Sequence, residues 1–384
     1  MFDITQLINE ALANVYAGNG GTVEPNLWRI TNNAMQDAIR QGFGVVQYGQ
    51  PNLDLTNQLR GNGSVFAAFK AHKQQNELAA LLTDPDTGKL KSFAQFKKDS
   101  QPVIGKYNRD WLRTEYNTAV KRARTAEQFA RARDTKDLYP NLRWTPSRSA
   151  HRREAHMPFY NQVWAIDDPF WETNYPGSLW NCKCGIERTD APVSHPDNKN
   201  VPPVPGLDEN PVGGQLFTKT SPMMQGVSKR EARSIENEAN LLLVRETRAM
   251  MREWAKKNIP DGGLMLNVNV AEFGTLTVRR ADVKSITAKP HKFAAEAYAL
   301  SDQLDKVLNQ SEYMGWSPDE IIKYADGTRK QKHTGVKKWL YYRFKLKGKY
   351  SYLNVKLYDG EYRVYCIVDD AAFDKSIIAH PVKK

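Results

Sequence analysis

Apolar positions recur at helical spacing through the first third of the chain and alternate in the last quarter. Ile4, Leu7, Ile8, Leu12 and Val15 fall at i, i+3 and i+4, which predicts one amphipathic helix. A second helix is predicted from about Pro25, where Leu27, Ile30, Ala34, Ala38 and Ile39 share a face, and it stops before Gly42. Gln47 to Asn62 has no such period and reads as a loop. Ser64 to about Leu82 is helical again, and Asp84-Pro85-Asp86-Thr87-Gly88 is a turn. From Gln101 to Asp134 the pattern is one long helix. Tyr107, Trp111, Tyr116, Ala119, Val120, Ala123, Phe129 and Ala130 lie in a single stripe. Its arginines and lysines fall elsewhere and read as a solvated face, with a nucleic-acid contact as the sharper alternative.

The period stops at 139–190, a stretch dense in Trp, His, Arg, Pro and Cys. Pro192, Pro196, Pro202, Pro203, Pro205, Pro211 and Pro222 then predict neither helix nor central strand, so 191–227 reads as a linker or extended arm. Ser228 to Lys257 is helical, with Ser228 as cap and Glu231 as its reciprocal partner. Residues 264–270 and 275–280 are strand-like, and Phe293 to Asn309 is helical. Residues 339–348, 350–360 and 362–370 are three aromatic, β-branched strands joined by hairpin turns. The expected fold is multidomain: a mainly α N-terminal module and a C-terminal α+β domain with an antiparallel sheet. The expected divisions are 1–100, 101–190, the linker 191–227, a connecting helix 228–258, and 264–384.

Composition narrows the class. The chain has 384 residues, 55 Lys+Arg against 43 Asp+Glu, and a formal charge of +12. No stretch approaches the roughly 18 uncharged apolar residues of a membrane span. With 9 Trp, 17 Tyr and 14 Phe there is ample core material, which excludes wholesale disorder. Three cysteines exclude a disulfide-built scaffold. The N-terminus shows no secretory pattern, so a cytoplasmic protein is expected.

The positive charge concentrates at the end: residues 264–384 hold 21 basic and 14 acidic residues. There Lys337, Lys338, Arg343 and Lys345 interleave with Trp339, Tyr341, Tyr342 and Phe344. On a strand, Trp339, Tyr341 and Arg343 project one way and Leu340, Tyr342 and Phe344 the other. One face is then a stacking platform for single-stranded RNA, or simply a solvated basic face. Arg279, Arg280, Lys292 and Lys332 would add phosphate contacts. Cleavage through a ribose 2′-hydroxyl needs a base, an acid and cations. His291, His333, Lys337 and Arg343 are the candidates for a metal-independent ribonuclease, with RNA or DNA binding alone as the alternative.

Two of the three cysteines stand together in Asn181-Cys182-Lys183-Cys184, downstream of Arg153-Glu154-Ala155-His156. Cys182, Cys184, His156 and either His151 or His195 are a sensible zinc set. Reduced packed thiols and a disulfide are the other readings. A catalytic zinc is not expected, since no general base accompanies the set.

Arg113-Thr114-Glu115, Ala119, Trp144-Thr145, Arg153-x-x-His156, Phe170-Trp171, Pro176-Gly177 and Asn181-Cys182-Lys183-Cys184 come in an order that resembles the phage Mu F-like head morphogenesis (minor capsid) family over roughly 60–190. Where that family usually carries an Asp ahead of its Arg/His run, this chain has Ser149 and Ala150. The resemblance implies a phage or prophage minor head protein acting at the portal or in the head interior. Its partners would be portal and capsid proteins, in the host cytoplasm during assembly and then in the virion. It also implies metal binding by His156, Cys182 and Cys184. Residues 264–375 resemble the phage-associated nucleases of the Barnase–EndoU–colicin–RelE fold, which implies a toxin-like RNA-cleaving domain and an immunity partner.

Overall fold

The computed structural model describes residues 3–194, 201–323 and 325–382. The chain divides into two compact units: Met1–Val46 with Asp54–Leu242, and Gln47–Leu53 with Leu243–Lys384.

The first unit is mainly helical. Helix α1 (Ile4–Tyr16) starts where the Asp3 carboxylate accepts the Thr5 amide, and it buries Leu7, Ala11, Leu12 and Val15. Helix α2 (Pro25–Gly42) begins with a proline and is capped by Glu24. Helix α3 (Leu53–Ala79) starts well before the expected Ser64. Asn57, Gly61, Asn62 and Gly63 are poor helix formers, but tertiary contacts override them. A Cβ on Gly63 would lie 3.1 Å from that of Met35. Helices α4 (Phe93–Asp99) and α5 (Gln101–Gly105) follow. A π-helical turn, Lys106–Trp111, joins α5 to α6 (Leu112–Asp134), so the expected long helix forms with one irregular turn. Helix α2 meets α6 closely at Gly42, where any Cβ would come within 2.3 Å of the Val120 carbonyl oxygen.

The arginines of α6 are not all solvated. Arg122 is fully buried. Its guanidinium donates to the carbonyls of Gly177 (3.1 Å), Leu207 (3.4 Å), Glu209 (2.6 Å) and Gln215 (3.1 Å). Lys70 of α3 and Glu115 of α6 form a second buried pair; burial pushes the lysine down and the carboxyl up.

After α6 the chain forms a three-stranded antiparallel sheet. Strand β1 (Asn141–Thr145) lies between β2 (Val163–Ala165) and β3 (Gly185–Thr189). A short helix, α7 (Phe170–Thr173), brings Trp171 in beside Trp144. The stretch expected as a linker behaves otherwise in its described part. Leu207, Leu216, Phe217 and Met224 are buried, and Phe217 stacks on Phe66 at 4.0 Å. Asn62 donates to the Phe217 carbonyl and accepts the amides of Leu216 and Phe217. Helix α8 (Lys229–Asn258) follows, with Ser228 and Glu231 bonded reciprocally as expected. It buries Ile235, Ala239 and Leu242 in the first unit and Met251 and Ala255 in the second.

The second unit is a seven-stranded sheet with short helices on one face. Its strands are β4 (Leu264–Val270), β5 (Phe273–Val278), β6 (Glu312–Ser317), β9 (Lys338–Leu346), β10 (Lys349–Leu357), β11 (Tyr362–Asp369) and β12 (His380–Pro381). They lie in the order β12-β6-β9-β10-β11-β5-β4. The sheet is mixed, which corrects the antiparallel expectation, because β5 and β11 run parallel. The connection between β5 and β6 carries α9 (Arg280–Ile286), α10 (Ala294–Ala299) and α11 (Leu304–Asn309). The expected single helix 293–309 is thus α10 and α11, broken by a 3-10 turn at Leu300–Asp302. A separate hairpin, β7 (Ile321–Lys323) with β8 (Arg329–Gln331), stands beside the sheet. Leu340, Tyr342 and Phe344 enter the main core with Leu304, Val307, Leu353 and Ile367. Trp339 and Tyr341 take the opposite face, with Tyr352 and Phe373. The segment Gln47–Leu53 belongs here too: the Tyr48 hydroxyl donates to the Lys345 carbonyl and its ring meets Phe344 edge-on.

Candidate metal centre and candidate catalytic cleft

The first site lies under β1 and β3. The 3-10 segment Glu154–Phe159 delivers His156, and the turn before β3 delivers Cys182 and Cys184. All three are buried, and their donor atoms lie within 4.8 Å of one another. His156 Nδ1 is 3.8 Å from Cys182 Sγ and 3.6 Å from Cys184 Sγ, while its Nε2 is buried without a partner. The Cys184 thiol and the His156 ring hold Cys182 well below the usual thiol range, against burial. Sharing its proton with Cys182 and being buried push Cys184 up. The three cysteines described are free thiols, so no disulfide joins the pair. His151 is exposed and does not join the cluster. His195 lies outside the described residues.

Two thiols and one imidazole fit a zinc ion in type, number and proximity, with one coordination position left over. Around them Trp144, Phe159, Trp164, Phe170 and Trp171 form a dense aromatic shell; Trp164 and Phe170 stack at 3.9 Å.

This helical core and its Cys/His cluster resemble known proteins. Residues 33–187 match the family described as Phage Mu protein F like protein. The chain is 35% identical over 80 residues to "Putative capsid assembly protein F" of Escherichia phage Mu, an overlap of 21% of this chain and 18% of that protein. It is 33% identical over 76 residues to "Mu-like prophage FluMu F protein" of Haemophilus influenzae, 20% of this chain and 17% of that protein. The chain therefore spans under a fifth of the length of either curated relative. No solved structure matches it.

The Mu F-like match ends at residue 187, ahead of the second site. That site is a cleft of about 650 Å³ on the β9–β11 face of the second unit. His333, just before β9, directs Nδ1 at Asp319 Oδ1 (3.0 Å), and its backbone amide donates to Asp319 Oδ2 (2.8 Å). The Trp339 indole also donates to Asp319 Oδ1 (2.9 Å). Burial pushes the Asp319 carboxyl up, but these donors outweigh it and hold it below the usual carboxylate range. In the tautomer that donates from Nδ1 to Asp319, the lone pair of the ring is on Nε2. Lys289, Lys332 and Glu320 also line it, with Lys332 Nζ 2.7 Å from Glu320 Oε2.

Of the residues expected to act together, His333, Lys332, Trp339 and Tyr341 meet here. The others are elsewhere. His291 is buried, bonded to Ser351 Oγ at 3.1 Å and accepting the Phe293 amide, and burial lowers its pKa. Arg343 pairs with Glu312 and lies over Tyr350. Lys337 pairs with Asp359. Arg279 caps α9 and is bonded to both Glu361 oxygens. Arg280 pairs with Asp261, and the Lys292 amide donates to Asp369. Trp339 and Tyr341 are not an open platform: they are 8% and 3% exposed, and the Tyr341 hydroxyl bonds Ser317. Phe373, carried on the segment after β11, packs against them and closes that face. Sequence reasoning missed Asp319, Lys289, Asn354 and Tyr365. The one available signal was a carboxylate in Ser317-Pro318-Asp319 ahead of a histidine in the same basic, aromatic region.

Proposed function

We propose that this chain is a minor head protein of a Mu-like phage or prophage. It acts in capsid assembly at the portal or head interior, in the host cytoplasm and then in the virion. The match at residues 33–187 carries this reading, together with the assembly role in the name of the phage Mu relative. His156, Cys182 and Cys184 hold a zinc ion that cross-links the segment after α6; its contribution is structural. The test is to assemble procapsids with the tagged chain. It should co-purify with portal and shell in fixed proportion, and carry about one zinc per chain by mass spectrometry of the native protein. Cys182→Ser should lose both the zinc and the incorporation. A chain absent from procapsids would refute the assembly role, and zinc-free wild-type protein the staple.

A second reading concerns the cleft, and the Asp319–His333–Nε2 line favours it. The second unit cleaves RNA without a metal. His333 Nε2 takes the proton of a ribose 2′-hydroxyl, the 2′-oxygen bonds to phosphorus, and the bond to the 5′-oxygen breaks. Lys289 and Lys332 offset the charge on the phosphorane, and solvent protonates the leaving oxygen, since among the described residues no second imidazole lines the cleft. An immunity partner would cover this opening. Full-length protein should cut 5′-labelled RNA, and His333→Ala should lower the rate about 10²-fold or more. Equal cutting by the variant would remove His333 as the base, and no cutting by the wild type would leave nucleic-acid binding alone.

A further inference from the structure

We propose that the His333 cleft seats one nucleobase that presents an amino group, recognised by Asn354 and stacked on Tyr365, with the adjoining phosphate on Lys289 and Lys332. This rests on the reading of the cleft as the place where the second unit meets RNA.

The first observation is an irregularity. Strands β10 and β11 pair Asn354 with Cys366 and Val355 with Val364, so Tyr365 faces no partner and bulges out. Bulges re-aim side chains and gather beside functional sites. Here the bulge turns the Tyr365 ring into the cleft, edge-on to Trp339 at 5.0 Å and to His333 at 5.8 Å. The Nζ of Lys356 sits 4.0 Å from its centroid and that of Lys289 at 5.1 Å. Both ammonium groups lie over the ring, so a base stacking on Tyr365 beside the His333 imidazole displaces one of them toward its own phosphate.

The second observation is an unused acceptor. Asn354 lines the cleft, is 9% exposed, and its Oδ1 is buried without a partner. Buried amide oxygens are almost always paired in folded proteins, and an orphan calls for an explanation. What remains on offer is an acceptor, so the group that completes it must be a donor. Cytosine and uracil differ there: at position 4 one carries an amino group, the other a carbonyl that would face Oδ1 oxygen to oxygen.

The test uses full-length protein and fluorescent ten-nucleotide 2′-O-methyl oligomers of cytidine or uridine, which bind but lack the attacking hydroxyl. The cytidine oligomer should bind about tenfold more tightly, the ratio one well-made polar contact gives. Asn354→Leu should bring that ratio to about one with uridine binding little changed. Asn354→Ser serves the same purpose if the leucine variant loses its near-ultraviolet circular dichroism. Tyr365→Leu should weaken both oligomers while Tyr365→Phe does not. Lys289→Ala should weaken both equally and reduce the salt slope by about one. Equal binding of the two oligomers by wild type, or a preference that survives in a folded Asn354 variant, overturns the inference. Cleavage of ordinary RNA by the same preparation separates the two claims. Cutting without base preference sinks only this one, and preference without cutting sinks only the nuclease reading.

Discussion

Arg122 carries a positive charge into the interior of the first unit, where its guanidinium bonds four backbone carbonyls and feels the Asp208 and Glu209 charges nearby. Replacing it with Met keeps the volume but leaves those carbonyls dry and unpaired. The midpoint of urea unfolding should fall by the equivalent of about 3 kcal/mol or more, as expected when several buried acceptors lose one donor. Lys70 and Glu115 make the opposite test. Either single substitution strands a buried charge, at about 3–5 kcal/mol, whereas Lys70→Met with Glu115→Leu should cost much less than the sum. His291 gives the second unit a pH dependence. Burial lowers its pKa, so the folded state prefers the neutral ring. That contribution is whole above the ordinary histidine range and is lost as the pH falls below about 6.5. The melting temperature of this unit should drop on acidification from pH 7 to 5, and less steeply in His291→Asn, which keeps a polar partner for Ser351.

At the scale of elements, the irregular strap 201–226 depends on three hydrogen bonds to the Asn62 side chain of α3. Asn62→Leu should expose it to proteases, with new cuts between 207 and 225 appearing in limited digestion before the helices are touched. This strap also shows where sequence reading stops. Periodicity marked α1, α2, α6 and α8, because each buries one stripe, and aromatic and β-branched runs marked β9, β10 and β11, although β9 and β10 are buried on both faces. Prolines marked 191–227 as neither helix nor strand, but not that Leu207, Leu216 and Phe217 would be buried by partners far along the chain. The start of α3 was hidden for the same reason, since Gly63 and Asn62 look like breakers until Met35 and Phe217 are beside them. His156, Cys182 and Cys184 were legible as a set because thiols and imidazoles are scarce here. Asp319 was not, because one aspartate among many announces itself only once His333 and Trp339 donate to it.

On the scale of the molecule, the second unit is built from two separate pieces of sequence, Gln47–Leu53 and Leu243–Lys384. Cutting at 264, where the strands begin, removes Met251, Ala255 and Ile259 as well as Tyr48 from its core. A 264–384 fragment should therefore lack a cooperative thermal transition by circular dichroism. One from 243 onward should regain part of it, and adding a 47–53 peptide in trans should raise its midpoint further. A sharp, unassisted transition in the shorter fragment would contradict this.

Tyr48 leaves the ribosome 297 positions ahead of Lys345, whose carbonyl its hydroxyl bonds. The sheet cannot finish folding until β12 has emerged to pair with β6, long after residues 47–53 are out. A single nick near residue 242 would not set the finished sheet loose intact, either. It would depart without its Tyr48 plug, or stay bound through that plug to the rest of the chain.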